Sequence, residues 1–225
     1  MEPSLFKLLM NLPLFQGMDI DSLAEIVTKV AFDFKKLRSG HLIAEQDSAC
    51  KALYFILKGS VKIQTRSNDH HLILEESLQA PFVLQIESLF GLRTRYTHSF
   101  ISNSNIQMFI VDKQDITKRL LAYDIFRFNL LNILSTKVQI ANRMLWNRPS
   151  NNAAHRFVKL LQSRCIHPAG KKFLHGKMTT IATEIGETRL TTSRMLHQLE
   201  NEGLIEIKRQ VIVIPSFEHL IQKEL

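Results

Sequence analysis

At 225 residues the chain is long enough for two compact domains, and its 45% hydrophobic and 22% charged residues describe a soluble globular protein. No apolar run approaches the ~20 residues of a membrane span, and the opening MEPSLFKLLMNLPLF lacks the basic stretch of a signal peptide. The two cysteines, Cys50 and Cys165, offer neither a disulfide framework nor a metal cluster, so a reducing cytoplasm is expected. The net charge of +8 is uneven: residues 148–225 hold 12 Lys/Arg against 7 Asp/Glu, with five of the nine histidines, which favours a polyanionic partner.

In chain order, Asp19-Ile20-Asp21 precedes SLAEIVTKV, where Leu23, Ile26, Val27 and Val30 recur at helical spacing behind acidic first-turn residues. From Ala31 to Val111 the texture is β-rich. The segments 53–59, 60–66, 71–77, 98–102 and 106–111 read as short strands, several parted by turn residues such as Lys58-Gly59-Ser60 and Ser67-Asn68-Asp69. Many short strands at this spacing predict a β-barrel or two-layer β-roll.

Residues 124–146 contain no Gly or Pro and predict one helix about 34 Å long. Leu130, Ile133, Lys137, Ile140 and Met144 form one stripe, interrupted by the charge of Lys137. Leu131, Leu134, Val138, Ala141 and Leu145 form a second. The combined arc is wider than one buried face requires. Either the helix is sunk in its own domain, or one stripe faces inward and the other a partner's equivalent helix. We take the second alternative, with the first stripe as the homodimer seam. Asn147 to Asn152 is then the linker, giving a sensor domain at 1–122, a dimerisation helix at 123–147 and a third unit at 148–225.

In that unit AAHRFVKLLQSRC predicts a helix with Phe157, Leu160 and Leu161 inward, and 167–172 a loop. Residues 179–185 form a short helix ended by Gly186. Thr188 caps a second helix, in which Thr192, Met195, Leu196 and Leu199 share the inner face. Arg189, Leu190, Ser193, Arg194, His197 and Gln198 lie opposite. Helix, glycine turn, helix is the helix-turn-helix arrangement, whose second helix meets base edges; arginine is the side chain best able to fork onto guanine. Ile205–Ile207 and Val211–Ile214 then make a hairpin with Lys208-Arg209-Gln210 at its tip, a wing placed to touch phosphates.

In this order the chain resembles the cyclic-AMP receptor/fumarate-nitrate regulator (Crp/Fnr) family of bacterial transcription factors, nearly end to end. LPLFQGM (12–18) is similar to its opening segment, LYFILKGSVKI (53–63) to its β-roll core, and ETRLTTSRMLHQLENEGLIEI to its recognition helix. The resemblance implies an α+β fold: a cyclic-nucleotide-binding-like β-roll, a long dimerisation helix and a C-terminal winged helix-turn-helix. It also implies a homodimer on a roughly palindromic duplex DNA operator, with RNA polymerase as the further partner of an activator. Arg189 and Arg194 match the family's base-contacting arginines. Thr188, Ser193 and His197 are further base or phosphate contacts, and Lys208 and Arg209 belong to the wing. Leu190 departs from the pattern: the best-studied members carry glutamate there, which accepts from cytosine, whereas leucine only packs.

The sensor departs too. Members that bind cyclic nucleotides carry Gly-Glu for the ribose and Arg-Ser/Thr for the phosphate. Here Leu84-Gln85 or Gln85-Ile86 stands in the first place, and Arg95-Tyr96 in the second. A ribose diol left unpaired costs about 1–3 kcal/mol, so the expectation is a sensor that does not bind cyclic AMP. Gln85, Glu87, Arg95, Tyr96 and His98 are the candidate lining of a pocket for an unknown small-molecule effector, unless the chain acts without one. No cofactor is indicated. Two cysteines in different domains cannot hold the family's iron–sulfur cluster. His41, His70, His71 and His98 are the available haem ligands, although His70-His71 reads better as a solvated hairpin turn. The chain shows no phosphate-cradling glycine loop, HExxH or GxSxG, so no enzyme is expected. The alternative function is a ligand-sensing module whose winged helix contacts protein.

Overall fold

The structure, a computed structural model, describes residues 5–67, 71–146 and 152–224, which divide into two compact units. The first comprises residues 1–61, 79–97 and 101–143; the second comprises 62–78, 98–100 and 144–225. The predicted linker lies outside the described residues except for Asn152.

In the first unit, α1 (Leu5–Met10) and α2 (Ile20–Lys29) precede the strands. Asp19 caps α2 by accepting from Ser22 N at 2.7 Å, one residue ahead of the helix and not within its first turn as expected. A four-stranded sheet runs β1-β8-β3-β6, where β1 is Asp33–Leu37, β3 is Ala52–Lys58, β6 is Phe82–Val83 and β8 is Ile106–Asp112. β2 (Leu42–Ala44) lies between β1 and β3 in the chain. β3 and β8 pair antiparallel from Ala52↔Asp112 to Ile56↔Met108. Gly59 turns β3 into β4 (Ser60–Arg66) at φ 91°, where a Cβ would lie 2.5 Å from the Asn105 carbonyl oxygen; no other residue fits. Phe55 stacks on Phe109 with centroids 4.5 Å apart, and Phe15 bridges Phe55 to Phe126.

After α3 (Lys113–Lys118), α4 spans Asp124–Trp146 as predicted. Its first turns are held by its own unit. Phe126 and Leu130 are buried, and Asn129 donates to the carbonyls of Leu14 and Gln16 at 3.2 and 2.8 Å. Further along, Leu131, Val138 and Ile140 are each more than half exposed. Among the described residues no helix is long and apolar enough to cross a membrane.

In the second unit, α5 (Ala153–Arg164) is capped by Asn152, whose Oδ1 accepts from Ala154 N at 2.8 Å. Then come β9 (Lys172–Gly176), α6 (Met178–Glu184), α7 (Arg189–Asn201), β10 (Glu206–Lys208), β11 (Val211–Ile214) and α8 (Phe217–Glu224). β9 falls at the end of the stretch expected as loop. With β5 (Leu72–Gln79) and β7 (Ser99–Ser102), the unit's strands follow the order β10-β11-β9-β5-β4-β7. The inner face of this sheet packs Leu72, Leu74, Leu174, Ile212 and Ile214 against Phe157, Leu161, Leu196 and Phe217.

Candidate nucleic-acid interface and sensor cavity

The helix pair forms because its apolar positions converge on one core. Ile181, Ala182 and Ile185 from α6 and its C-cap meet Thr192, Met195, Leu196 and Leu199 from α7, all buried. Gly186 makes the turn at φ 66°. Arg156 of α5 donates from Nε to the Ile185 carbonyl at 2.8 Å and pairs with Glu187, which pins that turn from behind. The sequence reading missed Arg156: its partners lie about thirty residues away, and a basic residue on a helix gives no local sign of them.

Thr188 stands in extended conformation ahead of α7, and its Oγ1 accepts from Thr191 N at 3.1 Å. The cap occupies one of this side chain's acceptor sites and sets where the helix begins. Arg189, Leu190, Arg194 and His197 are exposed, Leu190 to 61%, and Ser193 is half-buried. The helix therefore turns its apolar stripe inward and leaves a basic, hydroxyl-bearing face to solvent. His197 lies 3.3 Å from Glu200, and Glu200 also accepts from Ile207 N at 2.8 Å. That backbone bond, with His197 second, holds the Glu200 carboxyl below its usual range. The same carboxylate thus ties the end of α7 to β10. Lys208 and Arg209 are exposed at the hairpin tip, and Gln210 makes the turn at φ 60°.

Four of the five sensor residues line one cavity of about 660 Å³: Gln85, Glu87, Arg95 and Tyr96. Asp47, Ser88, Arg93, Thr94 and Thr97 line it as well. Gln85 is buried in a left-handed conformation at φ 30°. Its Nε2 donates to Ser88 Oγ at 2.6 Å and Thr97 Oγ1 at 2.8 Å, while its Oε1 accepts from Thr97 N at 3.1 Å. Arg95 donates to the Asp47 carbonyl. Tyr96 is buried, bonds the Ala52 carbonyl at 3.3 Å, and has its phenol pushed upward, chiefly by burial and then by Cys50. Glu87 is exposed and pairs with Lys137 of α4 at 2.7 Å.

His98 is not part of this lining. It sits in the second unit, its Nδ1 2.6 Å from Thr65 Oγ1. Because that hydroxyl donates to the Arg164 carbonyl at 2.9 Å, the imidazole Nδ1–H is the donor in the other bond. The chain bends at Thr97 and His98, ahead of the strand that begins at Ser99. Of the lining residues the sequence reading missed, Ser88 and Thr97 hold Gln85; the Arg-Thr-Arg-Tyr-Thr run at 93–97 signals Thr97, and nothing local signals Ser88. His41 is exposed, with Nδ1 3.1 Å from the Arg38 carbonyl, and His70 lies outside the described residues.

Of the five seam residues, Leu130 needs correcting. At 6% exposure it is spent on its own chain and cannot meet a partner. Ile133 and Lys137 are half-buried, and Ile140 and Met144 are exposed. Leu131 and Val138 of the second stripe are exposed too, so the apolar surface left open is drawn from both stripes.

A family model described as a Crp-like helix-turn-helix domain matches residues 153–223, and one for a cyclic nucleotide-binding domain matches residues 34–123. Among solved structures the chain is similar to the catabolite activator protein of Thermus thermophilus, at 19% identity and a TM-score of 0.53 over 94% of this chain and 98% of that one. It is also similar to the c-di-GMP-responsive global regulator CLP of Xanthomonas campestris, at 16% identity and a TM-score of 0.51 over 88% and 99%. At these identities the likeness is one of fold. A comparison with curated proteins finds no match. A cyclic nucleotide-binding fold, a long helix and a Crp-like helix-turn-helix, in that order along one chain, make this protein a member of the Crp/Fnr family of DNA-binding transcription regulators.

Proposed function

We propose that the chain is a homodimeric, sequence-specific regulator whose α7 helices read two half-sites of one operator, and whose sensor takes an effector other than cyclic AMP. The observation that carries the first part is the division of α7. Thr192, Met195, Leu196 and Leu199 are buried, while Arg189, Leu190, Arg194 and His197 stand exposed behind a side-chain-capped start. Arg189 and Arg194 supply bidentate donors for guanine, Leu190 an apolar contact for a thymine methyl, and Lys208 and Arg209 charge for phosphates. Leu131, Val138, Ile140 and Met144, open to solvent along α4, supply the apolar surface a second copy would cover.

The sensor part rests on Gln85. It stands near where the family's cyclic-nucleotide binders hold a ribose-accepting glutamate, and its amide is already committed to Ser88 and Thr97. The nearby carboxylate, Glu87, is engaged by Lys137. Selection of bound sequences from random duplex DNA, with and without a small-metabolite extract, tests the whole reading. The expected outcome is two half-sites about one helical turn (10–10.5 bp) apart. Absence of enrichment would contradict it, and micromolar cyclic AMP binding in calorimetry would contradict the sensor part alone.

A further inference from the structure

β9 has two neighbours. On one side it pairs with β11 of the wing; on the other it pairs with β5 over five residue pairs, from Leu72↔Gly176 to Glu76↔Lys172. The register puts Leu72, Leu74 and Glu76 on the inner face with Lys172 and Leu174. Glu76 and Lys172 are each only 1% exposed and lie 2.7 Å apart. The carboxylate also accepts from Ile166 N at 2.5 Å and His167 N at 3.2 Å, and the ammonium donates to the Ala169 carbonyl at 2.8 Å. Gly176 lets the strands close: a Cβ there would lie 2.7 Å from a Leu72 methyl and 3.2 Å from the His71 carbonyl oxygen. The β4–β5 hairpin is therefore built into the same unit as the winged helix and held by a buried lock.

On the outer face one row crosses three strands, Ile73–His175–Val211. It opens onto a concavity of about 360 Å³ lined also by His71, Lys177, Thr180 and Arg209. Lys177 and Arg209 bring fixed positive charge, and two imidazoles bring further N–H groups. The facing acid, Glu75, is shared among Gln64, Lys62 and His175. The notch sits at the wing's turn, where Gly176 N donates to the Gln210 carbonyl at 3.0 Å.

We propose that the β4–β5 hairpin is a third element of the DNA-binding head, and that His71, His175, Lys177 and Arg209 together receive a backbone phosphate of the bound duplex. The proposal rests on the reading of α7 and the wing as a duplex-binding surface. Phosphate contacts fix the orientation of a recognition helix without reading sequence, and a rigidly locked hairpin is suited to that task.

The test is fluorescence anisotropy of the full chain on its selected duplex across about 50–200 mM salt, comparing Lys177→Ala, His71→Glu and Arg194→Ala. Lys177→Ala should reduce the magnitude of the slope of log Kobs against log salt by up to about 0.9 per protomer and weaken all duplexes alike. His71→Glu, which places an anion in the notch, should weaken binding about tenfold or more at the low-salt end. If Arg194→Ala weakens binding while both notch variants bind as the parent does, the notch is overturned and the reading of α7 stands. If Arg194→Ala is also without effect, the reading of α7 fails and the notch falls with it. Inorganic phosphate that binds in a Lys177-dependent way, with duplex affinity unaltered by either notch variant, would also overturn the assignment to DNA.

Discussion

Lys172→Met isolates the energetic role of the buried pair. The Lys172 ammonium and Glu76 carboxylate are 2.7 Å apart and each 1% exposed, so removing the cation strands a carboxylate in the core with only two backbone N–H groups to compensate it. Breaking a buried pair in this way costs about 3–5 kcal/mol. For a protein of this size each kcal/mol moves Tm by about 2–4 °C, so the unfolding transition of the chain should fall by about 6–20 °C. Adding Glu76→Gln removes the stranded charge and keeps one acceptor oxygen for Ile166 N or His167 N, which bond different carboxylate oxygens in the parent. The double variant should thus melt several degrees above Lys172→Met alone, a coupling that distant sites do not show. Differential scanning calorimetry of the full chain at neutral pH measures both. A Lys172→Met transition within a degree of the parent's would refute the reasoning. A double variant melting below the single would show that the pair is not coupled as described.

Three further outcomes follow from the described geometry. The Cys165 thiol is pushed up to about 12, by burial first and by Glu76 second. Its folded value exceeds the unfolded one of about 8.5, so the stability it contributes is intact below that pH and is lost as pH rises toward the folded value. Ellman's reagent at pH 8 should therefore leave the half-buried Cys165 largely unmodified until urea is added, and rapid labelling of the native chain would contradict the raised thiol. Leu190→Glu restores an acceptor on the exposed face of α7; selection should then enrich cytosine at one half-site position where the parent does not, by about 1–3 kcal/mol of discrimination. Leu131→Glu with Val138→Glu should convert a dimer to monomer in sedimentation velocity with α4 intact by circular dichroism, and an unchanged dimer would exclude these residues from the seam.

The helix-turn-helix was legible because its information is local. Gly186, Thr188 and the four-residue apolar stripe of α7 lie within about fifteen residues, and the wing follows at once. β9 was not legible, because its inner face begins with a lysine whose partner, Glu76, is 96 residues away. A charge at a core position breaks the alternation from which strands are read. β1 was missed for a related cause: Asp33 to Lys36 are all exposed and Phe34 is the one apolar residue among them, so no period-two pattern exists. The sensor was half legible. Gln85, Arg95 and Tyr96 came from the resemblance, whereas the hydroxyls of Ser88 and Thr97 matter only because Gln85 is buried between them. In α4, Lys137 looked like a flaw in an apolar stripe; its charge answers Glu87 on the sensor cavity.

The most direct test of the central claim is the affinity of the full chain for its selected operator against a shuffled duplex, with Arg189→Ala and Arg194→Ala beside the parent. The account predicts that the parent prefers its operator by at least about a thousandfold. It also predicts that each arginine variant loses about 1–3 kcal/mol of that preference at one half-site position. Equal affinity of the parent for both duplexes, or arginine variants with the parent's full preference, would contradict it.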